Sequence, residues 1–294
     1  MKKIAILLAC IGIALGANAQ LLYKISGNGL SQPSYIFGTH HLSPLKVKDR
    51  IASLPQVMTD IKQVYGELVM AEMNAPETMQ LMMRQMMMPA DTTLKMLLTP
   101  AEYEAVDKLV KEYIGVDLSM LPGIKPAGLE QTLAVAFYTK NIEGFNQQEQ
   151  LDTWFQDEAT KAGKKVGGLE TVQKQIDVLF NNLSLKRQAA LLACFADDTA
   201  KTLRQVKQLN EAYAKQDIAA LLKLMEEREH NSCDPTPAEW ASMLDNRNKD
   251  WLAQMPAIMK EAPTLFVVGA GHLPGKTGVL TLLKNKGYKV EAMK

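Results

Sequence analysis

Apolar positions divide the chain into strand-like ends and a long helical middle. Short apolar runs bounded by turn residues, typical of strands, cover residues 21–25 and 34–37 near the start and 265–268 near the end. From residue 76 to residue 158 the apolar spacing is mostly helical and is interrupted by prolines. The pattern predicts an α+β or α/β fold with a central mixed β-sheet, flanking helices and a large helical insertion.

Two further strands are predicted between these ends. A compact apolar run over residues 67–71 that ends at Glu72 predicts a buried strand, and residues 164–166 predict a short strand just before Glu170. We find no internal repeat and no composition shift typical of a linker. Residues 20–294 are therefore expected to form a single domain.

The first nineteen residues have the features of a secretory signal peptide. A basic start is followed by an apolar stretch over residues 4–15 and by the small-x-small cleavage signal Ala17-Asn18-Ala19. The apolar stretch is shorter than a membrane span, and no later segment is longer, so no transmembrane segment is expected in the mature chain. We predict export to the periplasm or outside the cell. Lipid anchoring at Cys10 is less favoured, because only six apolar residues precede it.

Charge and cysteine content narrow the function classes. The formal net charge is +1, and loss of the two lysines in the signal peptide makes it −1, which argues against a nucleic-acid partner. Cys194 and Cys233 remain after cleavage. In an oxidising compartment they form either a disulfide or two separate thiols, and the sequence leaves both alternatives open. It also leaves the oligomeric state open.

Two histidines share a four-residue frame at opposite ends of the chain. Gly38-Thr39-His40-His41 and Gly269-Ala270-Gly271-His272 each follow a strand-like apolar run. Histidine is the commonest metal ligand and titrates near neutral pH. Glycine permits positive φ or close approach of the backbone. The matched frames therefore predict a metal or acid–base site at strand ends.

Two glutamates fall at similar positions. Glu72 ends a predicted strand, and Glu170 follows one and opens a helix. Ligands gather outside the carboxyl ends of strands in open α/β sheets. Two imidazoles and two carboxylates without thiolates suit Zn²⁺, Mn²⁺, Fe²⁺ or Co²⁺. Taken singly, each glutamate also fits a plain role as a surface charge at a strand end or a charge at a helix start.

Methionines crowd one predicted helix of the middle region. Plain helix packing, an apolar lid or groove for a peptide, and Cu(I) binding are three interpretations, and packing is favoured because the methionines wrap around the helix. The methionines concerned are Met79, Met82, Met83, Met86, Met87 and Met88, with Met70 and Met73 nearby.

Several segments together resemble the TraB/GumN family, which is related to the Tiki metalloproteases and more distantly to the erythromycin-esterase-like and ChaN-like proteins. They span nearly the whole mature chain, and the two Gly-x-x-His frames and an Arg-Asn pair are the most specific of them. The matching segments are Tyr35-Ile36-Phe37-Gly38-Thr39-His40-His41, Val69-Met70-Ala71-Glu72, residues 167–175, residues 245–251 and residues 266–275.

The resemblance implies a site formed by His41, Glu72, Glu170, Arg247 and His272. It implies a divalent metal held by the two histidines and two glutamates, with Glu72, Glu170 and Arg247 as catalytic residues. His40 stands where the family usually has an apolar residue. It is either a hydrogen-bond donor that supports the site or merely exposed, and the exposed interpretation is favoured. Which glutamate is the base and which is a ligand remains open.

The expected function is a secreted metal-dependent hydrolase, in the first place a peptidase. Arg247 would hold a substrate carboxylate or stabilise an oxyanion. A non-catalytic peptide-binding or regulatory protein that uses the same crevice is the alternative, because the family includes regulators and pheromone-binding proteins. An esterase-like hydrolase of small molecules is a further alternative. The expected partner is thus a peptide or a small molecule.

Overall fold

A six-stranded mixed β-sheet forms the centre of the protein in a computed structural model that describes residues 20–294. The predicted signal peptide lies outside the described residues. The sheet has the spatial order β4-β3-β5-β2-β1-β6. Its strands are β1 (Leu22–Ser26), β2 (Ser34–Thr39), β3 (Gln63–Gly66), β4 (Lys165–Gly168), β5 (Thr264–Gly269) and β6 (Lys289–Met293). The predicted α+β class is confirmed.

Helices flank the sheet and fill the long connection between β3 and β4. They are α1 (Leu54–Asp60), α2 (Met70–Met73), α3 (Pro76–Gln85), α4 (Leu94–Leu97), α5 (Pro100–Tyr113), α6 (Pro126–Asn141), α7 (Leu151–Lys161), α8 (Val172–Ile176), α9 (Leu185–Asp197), α10 (Thr199–Ala214), α11 (Ile218–Glu226), α12 (Pro237–Trp240), α13 (Asn246–Glu261) and α14 (Val279–Asn285). Helices α2 to α7 are the predicted helical insertion.

Four adjacent strands run parallel, and this direction positions the site. β2 pairs with β5, β5 with β3, and β3 with β4, all in parallel, whereas β1 is antiparallel to both of its neighbours. The N-terminal strands β1 and β2 form an antiparallel hairpin, and β5, α14 and β6 follow one another at the C-terminal end. Parallel strands end at the same edge of a sheet, so the segments that follow β2, β3, β4 and β5 lie side by side.

The strand predicted over residues 67–71 is wrong. β3 ends at Gly66, where a Cβ atom would lie 2.7 Å from the carbonyl oxygen of Leu68 and would overlap the side chain of Gln156. The chain therefore turns sharply after Gly66. The apolar run that follows enters this turn and α2, because a short apolar run does not distinguish a strand from a buried helical turn.

Two hydrophobic clusters hold the elements together. The first surrounds the sheet and includes the fully buried β5 residues Leu265, Phe266, Val267 and Val268. The second lies among α5, α6 and α9, with Val106 and Leu133 completely buried. Helix α3 buries none of its residues, and three of the methionines from the predicted cluster, Met79, Met83 and Met87, are exposed.

Cys194 and Cys233 form a disulfide, the alternative that the sequence left open. Their Cα atoms are 5.8 Å apart across a sequence separation of 39 residues. The bond ties the C-terminal end of α9 to the loop after α11. None of the helices in the described part of the chain has the length and apolar character needed to cross a bilayer.

Candidate functional site

Four charged or titratable side chains follow the ends of the four parallel strands. His41 follows β2, Glu67 follows β3, Glu170 follows β4, and His272 lies in a 3₁₀ turn after β5. Thr39 and Gly269, at the ends of β2 and β5, are register partners, so the two histidine frames are direct neighbours. With Arg247 from α13, these four side chains form what we call the strand-end cluster.

The glycines of the two frames are required by close packing and not by positive φ. A Cβ atom on Gly38 would lie 2.7 Å from the Leu273 side chain and 3.0 Å from the Cα atom of Ala270. A Cβ atom on Gly269 would lie 3.2 Å from Glu67 Oε1. Gly269 itself has a φ of −53°. One histidine frame therefore packs directly against the other, and this is possible because both lack a side chain at these positions.

His41 is oriented by a buried carboxylate. Its Nδ1–H donates to Asp152 Oδ2 over 2.7 Å, and the hydroxyl of Thr39 donates to Asp152 Oδ1 over 2.8 Å. The negative charge of Asp152 raises the pKa of His41 to about 9. The His41 side chain is 56% exposed, whereas that of Asp152 is 10% exposed. Asp152 thus fixes the ring and leaves Nε2 for the site.

His272 is buried and, unlike His41, has a lowered pKa. Its Nδ1–H donates to Asn248 Oδ1 over 2.6 Å, and its Nε2 accepts from Arg247 Nη1 over 3.0 Å. This network assigns the proton to Nδ1. Burial lowers the pKa of His272 to about 4, and the charge of Arg247 adds to the effect. The indole of Trp251 packs against the ring, with centroids 4.3 Å apart. His272 is therefore neutral at pH 7.

Glu67 is an ionised buried carboxylate. It accepts from the Gly269 amide over 2.8 Å, from Gln175 Nε2 over 3.0 Å and from Arg247 Nη2 over 2.5 Å. Burial alone would raise the pKa of Glu67, but the interactions with His272 and Arg247 outweigh it and hold the pKa at about 2. Its Oε1 lies 3.9 Å from His272 Nε2.

Arg247 links the two glutamates to His272. Its Nε and Nη2 donate to the two oxygens of Glu170 over 2.8 and 2.9 Å, and Nη1 also donates to the carbonyl of Met243 over 3.1 Å. Together with the bonds to Glu67 and His272, these contacts engage all five N–H groups of the guanidinium. The Met243 carbonyl belongs to a π-helical turn, Ala241–Asp245, that directly precedes α13.

Glu170 serves Arg247 and not the histidines. Both of its oxygens accept from the guanidinium, and Oε1 also accepts from the indole N–H of Trp251 over 2.9 Å. Its side chain is only 3% exposed. Such a bidentate, fully hydrogen-bonded pair fixes the direction of the guanidinium. The structure thus brings Glu170 into the cluster, where its hydrogen bonds go to Arg247 and Trp251 and not to the two imidazoles.

The structure does not bring Glu72 into the cluster. Glu72 is exposed on α2, and Glu67 takes the place directly after β3. Sequence reasoning missed Glu67 because residues 67–71 looked like a strand. A signal was present: all four parallel strands carry a glycine at or next to their last residue, and Gly66 immediately precedes Glu67. Asp152 was also missed, and nothing local distinguishes it from other acids on helices.

His40 is packed and not exposed as expected. Its ring meets those of Tyr138 and Tyr213 edge-on, with centroids 5.8 and 5.5 Å apart. Its Nδ1 accepts from the Leu42 amide over 3.2 Å, which closes the turn after β2. Burial lowers the pKa of His40 to about 4. His40 therefore acts as a neutral aromatic contact between the first frame and the helices.

A small cavity opens beside His41 and Glu67. Its volume of about 160 Å³ suits a side chain or a small group better than a whole drug-sized ligand. Amide side chains and apolar side chains share its wall. The lining residues are His41, Glu67, Leu68, Met70, Met73, Gln150, Asp152, Gln156 and Gln175.

The donor set suits a divalent metal ion. His41 and His272 each engage Nδ1 in a hydrogen bond to a side-chain oxygen, the arrangement that directs Nε2 of an imidazole toward a metal. Glu67 adds a carboxylate. In the described residues 20–294, however, no three His, Cys, Asp or Glu side chains are arranged as a ready metal site. Arg247 hydrogen-bonds to both Glu67 and His272. His272 could therefore bind a metal through Nε2 only after that nitrogen has lost its hydrogen bond from the guanidinium.

Gly269→Ala is expected to destabilise the protein by about 1–3 kcal/mol, because its methyl group would force a buried, hydrogen-bonded carboxylate to move. Urea unfolding measures the change. Gly128→Ala is the matched control, since there a Cβ atom meets a flexible Met86 methyl group at 3.0 Å, in a helix that favours alanine. Equal stability of the two variants would contradict the close packing described around Gly269.

Comparison with known proteins identifies the family of this chain. The sequence profile of the TraB/PrgY/gumN family matches residues 21–292. Metalloprotease TIKI1 of Danio rerio is 24% identical over 308 aligned positions, which cover 88% of this chain and 60% of the relative. The chain thus spans less than two thirds of that protein's length. No solved structure matches significantly. Since the profile covers nearly all of the described residues, the chain belongs to the TraB/PrgY/gumN family.

Proposed function

We propose that this protein is an exported metal-dependent hydrolase that cleaves an amide bond, in the first place in a peptide. One observation carries the proposal: four parallel strands gather two imidazoles and an ionised carboxylate at one edge, and each imidazole is fixed through Nδ1. The similarity to a protein named as a metalloprotease supports the same class of reaction.

His41, Glu67 and His272 are the residues that would hold the metal. Bound there, Zn²⁺, Mn²⁺, Fe²⁺ or Co²⁺ would polarise a substrate carbonyl and lower the pKa of water toward neutrality. The low pKa of Glu67 keeps it an anion through the whole physiological range, and the low pKa of His272 keeps its imidazole neutral, as ligation requires. His41, with a pKa of about 9, would have to release the proton on Nε2 when it binds the metal.

The remaining residues position these groups. Asp152 holds the His41 ring and balances its positive charge when Nε2 carries a proton. Glu170 and Trp251 fix Arg247, which in turn fixes Glu67. Because its N–H groups are all engaged, Arg247 positions the other site residues in this proposal, in place of the two roles expected from sequence, holding a substrate carboxylate or stabilising an oxyanion. Met70 and Met73 supply an adaptable apolar wall for a substrate side chain.

A non-catalytic peptide-binding protein is the second candidate. The observation that favours it is the saturation of the cluster, since Arg247 already engages Glu67, Glu170 and His272. A site held closed in this way would still bind a peptide side chain in the adjacent cavity. Binding and turnover are separated by experiment.

Metal content and peptide cleavage test the two candidates together. We expect the chain from Gln20 onward to bind stoichiometric metal and to cleave members of a peptide library with added Zn²⁺, Mn²⁺ or Co²⁺. Joint replacement His41→Ala and His272→Ala should abolish both, because two of three ligands are lost. The matched control is His230→Asn, at an exposed loop position whose φ of 60° asparagine tolerates.

Elemental analysis and mass spectrometry give the two readouts. Metal retained by the double variant would remove His41 and His272 as ligands. Tight peptide binding without metal-stimulated cleavage would favour the second candidate. Hydrolysis of small esters in place of peptides would keep the hydrolase and change its substrate class.

Export is part of the proposal. The Cys194–Cys233 disulfide supports it, since such bonds persist in oxidising compartments. Cleavage after Ala19 is expected, so intact-mass analysis of exported protein should give a chain that begins at Gln20. A mature chain that begins at a lipid-modified Cys10 would overturn cleavage after Ala19 and place the protein on a membrane.

A further inference from the structure

The disulfide closes a segment that contacts both histidine frames. Cys194 lies near the end of α9 and Cys233 in the loop after α11, so residues 195–232 form a covalently closed loop that contains α10 and α11. We call residues 195–232 the clamp segment. Neither of its helices contributes a residue to the strand-end cluster, yet each touches one of the two frames.

Helix α10 supports the first frame through Tyr213. The Tyr213 hydroxyl donates to the carbonyl oxygen of Gly38 over 2.9 Å, and the side chain is completely buried. The same ring packs edge-on against His40 at 5.5 Å. A buried phenol that donates to the frame's own backbone restrains where the chain turns toward His41.

Helix α11 supports the second frame through Met225. The Met225 methyl group lies 2.6 Å from the position that a Cβ atom on Gly271 would take, so the thioether rests directly on the backbone one residue before His272. The imidazole of His272 is hydrogen-bonded to Arg247 on one side and to Asn248 on the other. Movement of the backbone at Gly271 would therefore displace the ring and disturb both hydrogen bonds.

Few buried residues anchor α10 and α11. In α10 only Ala212 and Tyr213 are buried, and in α11 only Ile218 and Leu221. Segments with few buried apolar contacts open locally at low free energy. The covalent closure at Cys194 and Cys233 restricts the open states of such a segment.

We propose that the clamp segment holds both Gly-x-x-His frames in register only while the Cys194–Cys233 disulfide is intact, so that a dithiol reductant switches the site off reversibly. The activity part of this inference rests on the proposed hydrolase function. The structural part rests on the contacts of Tyr213 and Met225 alone.

The reduction is an ordinary thiol–disulfide exchange. A thiolate of the dithiol attacks one sulfur of the pair, a mixed disulfide forms, and the other cysteine leaves as a thiolate that takes up a proton. The second thiol of the reductant then closes its own disulfide and releases the first cysteine, so two electrons and two protons pass to the protein. Both cysteines are partly exposed and line a surface cavity of about 640 Å³, through which a reductant reaches them.

Hydrogen exchange of the oxidised and reduced protein tests the clamp directly. After treatment with dithiothreitol, desalting and blocking of the thiols, amides of residues 38–41 and 269–273 should exchange about 10-fold faster or more, as expected for locally opened structure. Peptide cleavage should fall by a similar factor and return on reoxidation of unblocked protein. Tyr213→Phe in the oxidised protein should accelerate exchange at residues 38–41 alone.

Two variants serve as controls. Cys194→Ser with Cys233→Ser should show the reduced behaviour and no response to dithiothreitol, which separates reduction from metal chelation by the reagent. Val57→Ala removes buried apolar volume from α1, a helix outside the clamp segment, and should leave exchange at both frames unchanged. If the serine variant does not fold, reduction of the wild-type protein still gives the readout.

The outcomes separate the two proposals. If reduction accelerates exchange in α10 and α11 only, the disulfide stabilises the clamp segment alone, and the proposal that it holds the two frames is rejected. Faster exchange at both frames in a protein that cleaves nothing would support the clamp and contradict the hydrolase. Unchanged exchange with unchanged cleavage would reject the clamp and leave the hydrolase intact.

Discussion

Replacing Arg247 with methionine is expected to destabilise the protein by about 3–5 kcal/mol, the usual result of removing one partner of a buried ion pair. The guanidinium satisfies Glu67 and both oxygens of Glu170, and the three side chains are each less than a tenth exposed. Without it two carboxylates remain buried and close together. The loss follows from that uncompensated charge more than from the lost hydrogen bonds.

Chemical denaturation at pH 7 measures the Arg247 effect. Adding Glu67→Gln and Glu170→Gln to Arg247→Met should recover part of the stability, because the charges that the arginine balanced are then gone. Lys165→Met is the matched control for loss of a cation, since its pair with Glu261 is exposed and should contribute little to stability. A cost as small for Arg247→Met would contradict the network described for the cluster.

Much of the fold followed from local pattern. Short apolar runs bounded by turn residues predicted β1 and β2, and β5 was predicted from an uninterrupted run of apolar residues that are fully buried. The strand at residues 67–71 failed because its apolar run is four residues long after Glu67, too short for periodicity to separate strand from helix. Pairing with β5 and β4 is what makes residues 63–66 the strand, and such pairing is not visible locally.

The site residues that could be predicted are those whose residue type and whose place directly after a strand both indicate a site. His41 and His272 sit in matched frames directly after strands, so their convergence could be expected. Asp152 reaches His41 across 111 positions of sequence, and its residue type is common on helix surfaces. Contacts of this kind depend on how the helical insertion returns to the sheet. The disulfide also depends on tertiary geometry and could not be decided from spacing.

Glu67→Gln should lower the rate of peptide cleavage by about 10²–10⁴-fold, whether the change removes a metal ligand or an acid–base group, for which this range is usual, whereas Glu72→Gln should leave the rate unchanged. Glutamine keeps an oxygen for the Gly269 amide but removes the negative charge next to His272. Glu72 lies exposed on α2, so its neutral isostere changes no contact of the strand-end cluster. The pair therefore distinguishes the glutamate that the structure brings to the site from the one expected from sequence.

Cleavage rates must be read beside metal content and stability. If Glu67 is chiefly a ligand, Glu67→Gln loses metal and activity together. If it is chiefly a base, metal stays and activity falls. Arg247 keeps Glu170 as a partner in either case, so the fold should survive the change. Loss of activity in Glu72→Gln with activity kept in Glu67→Gln would reverse the assignment, and would require α2 to fold over the cavity when substrate binds.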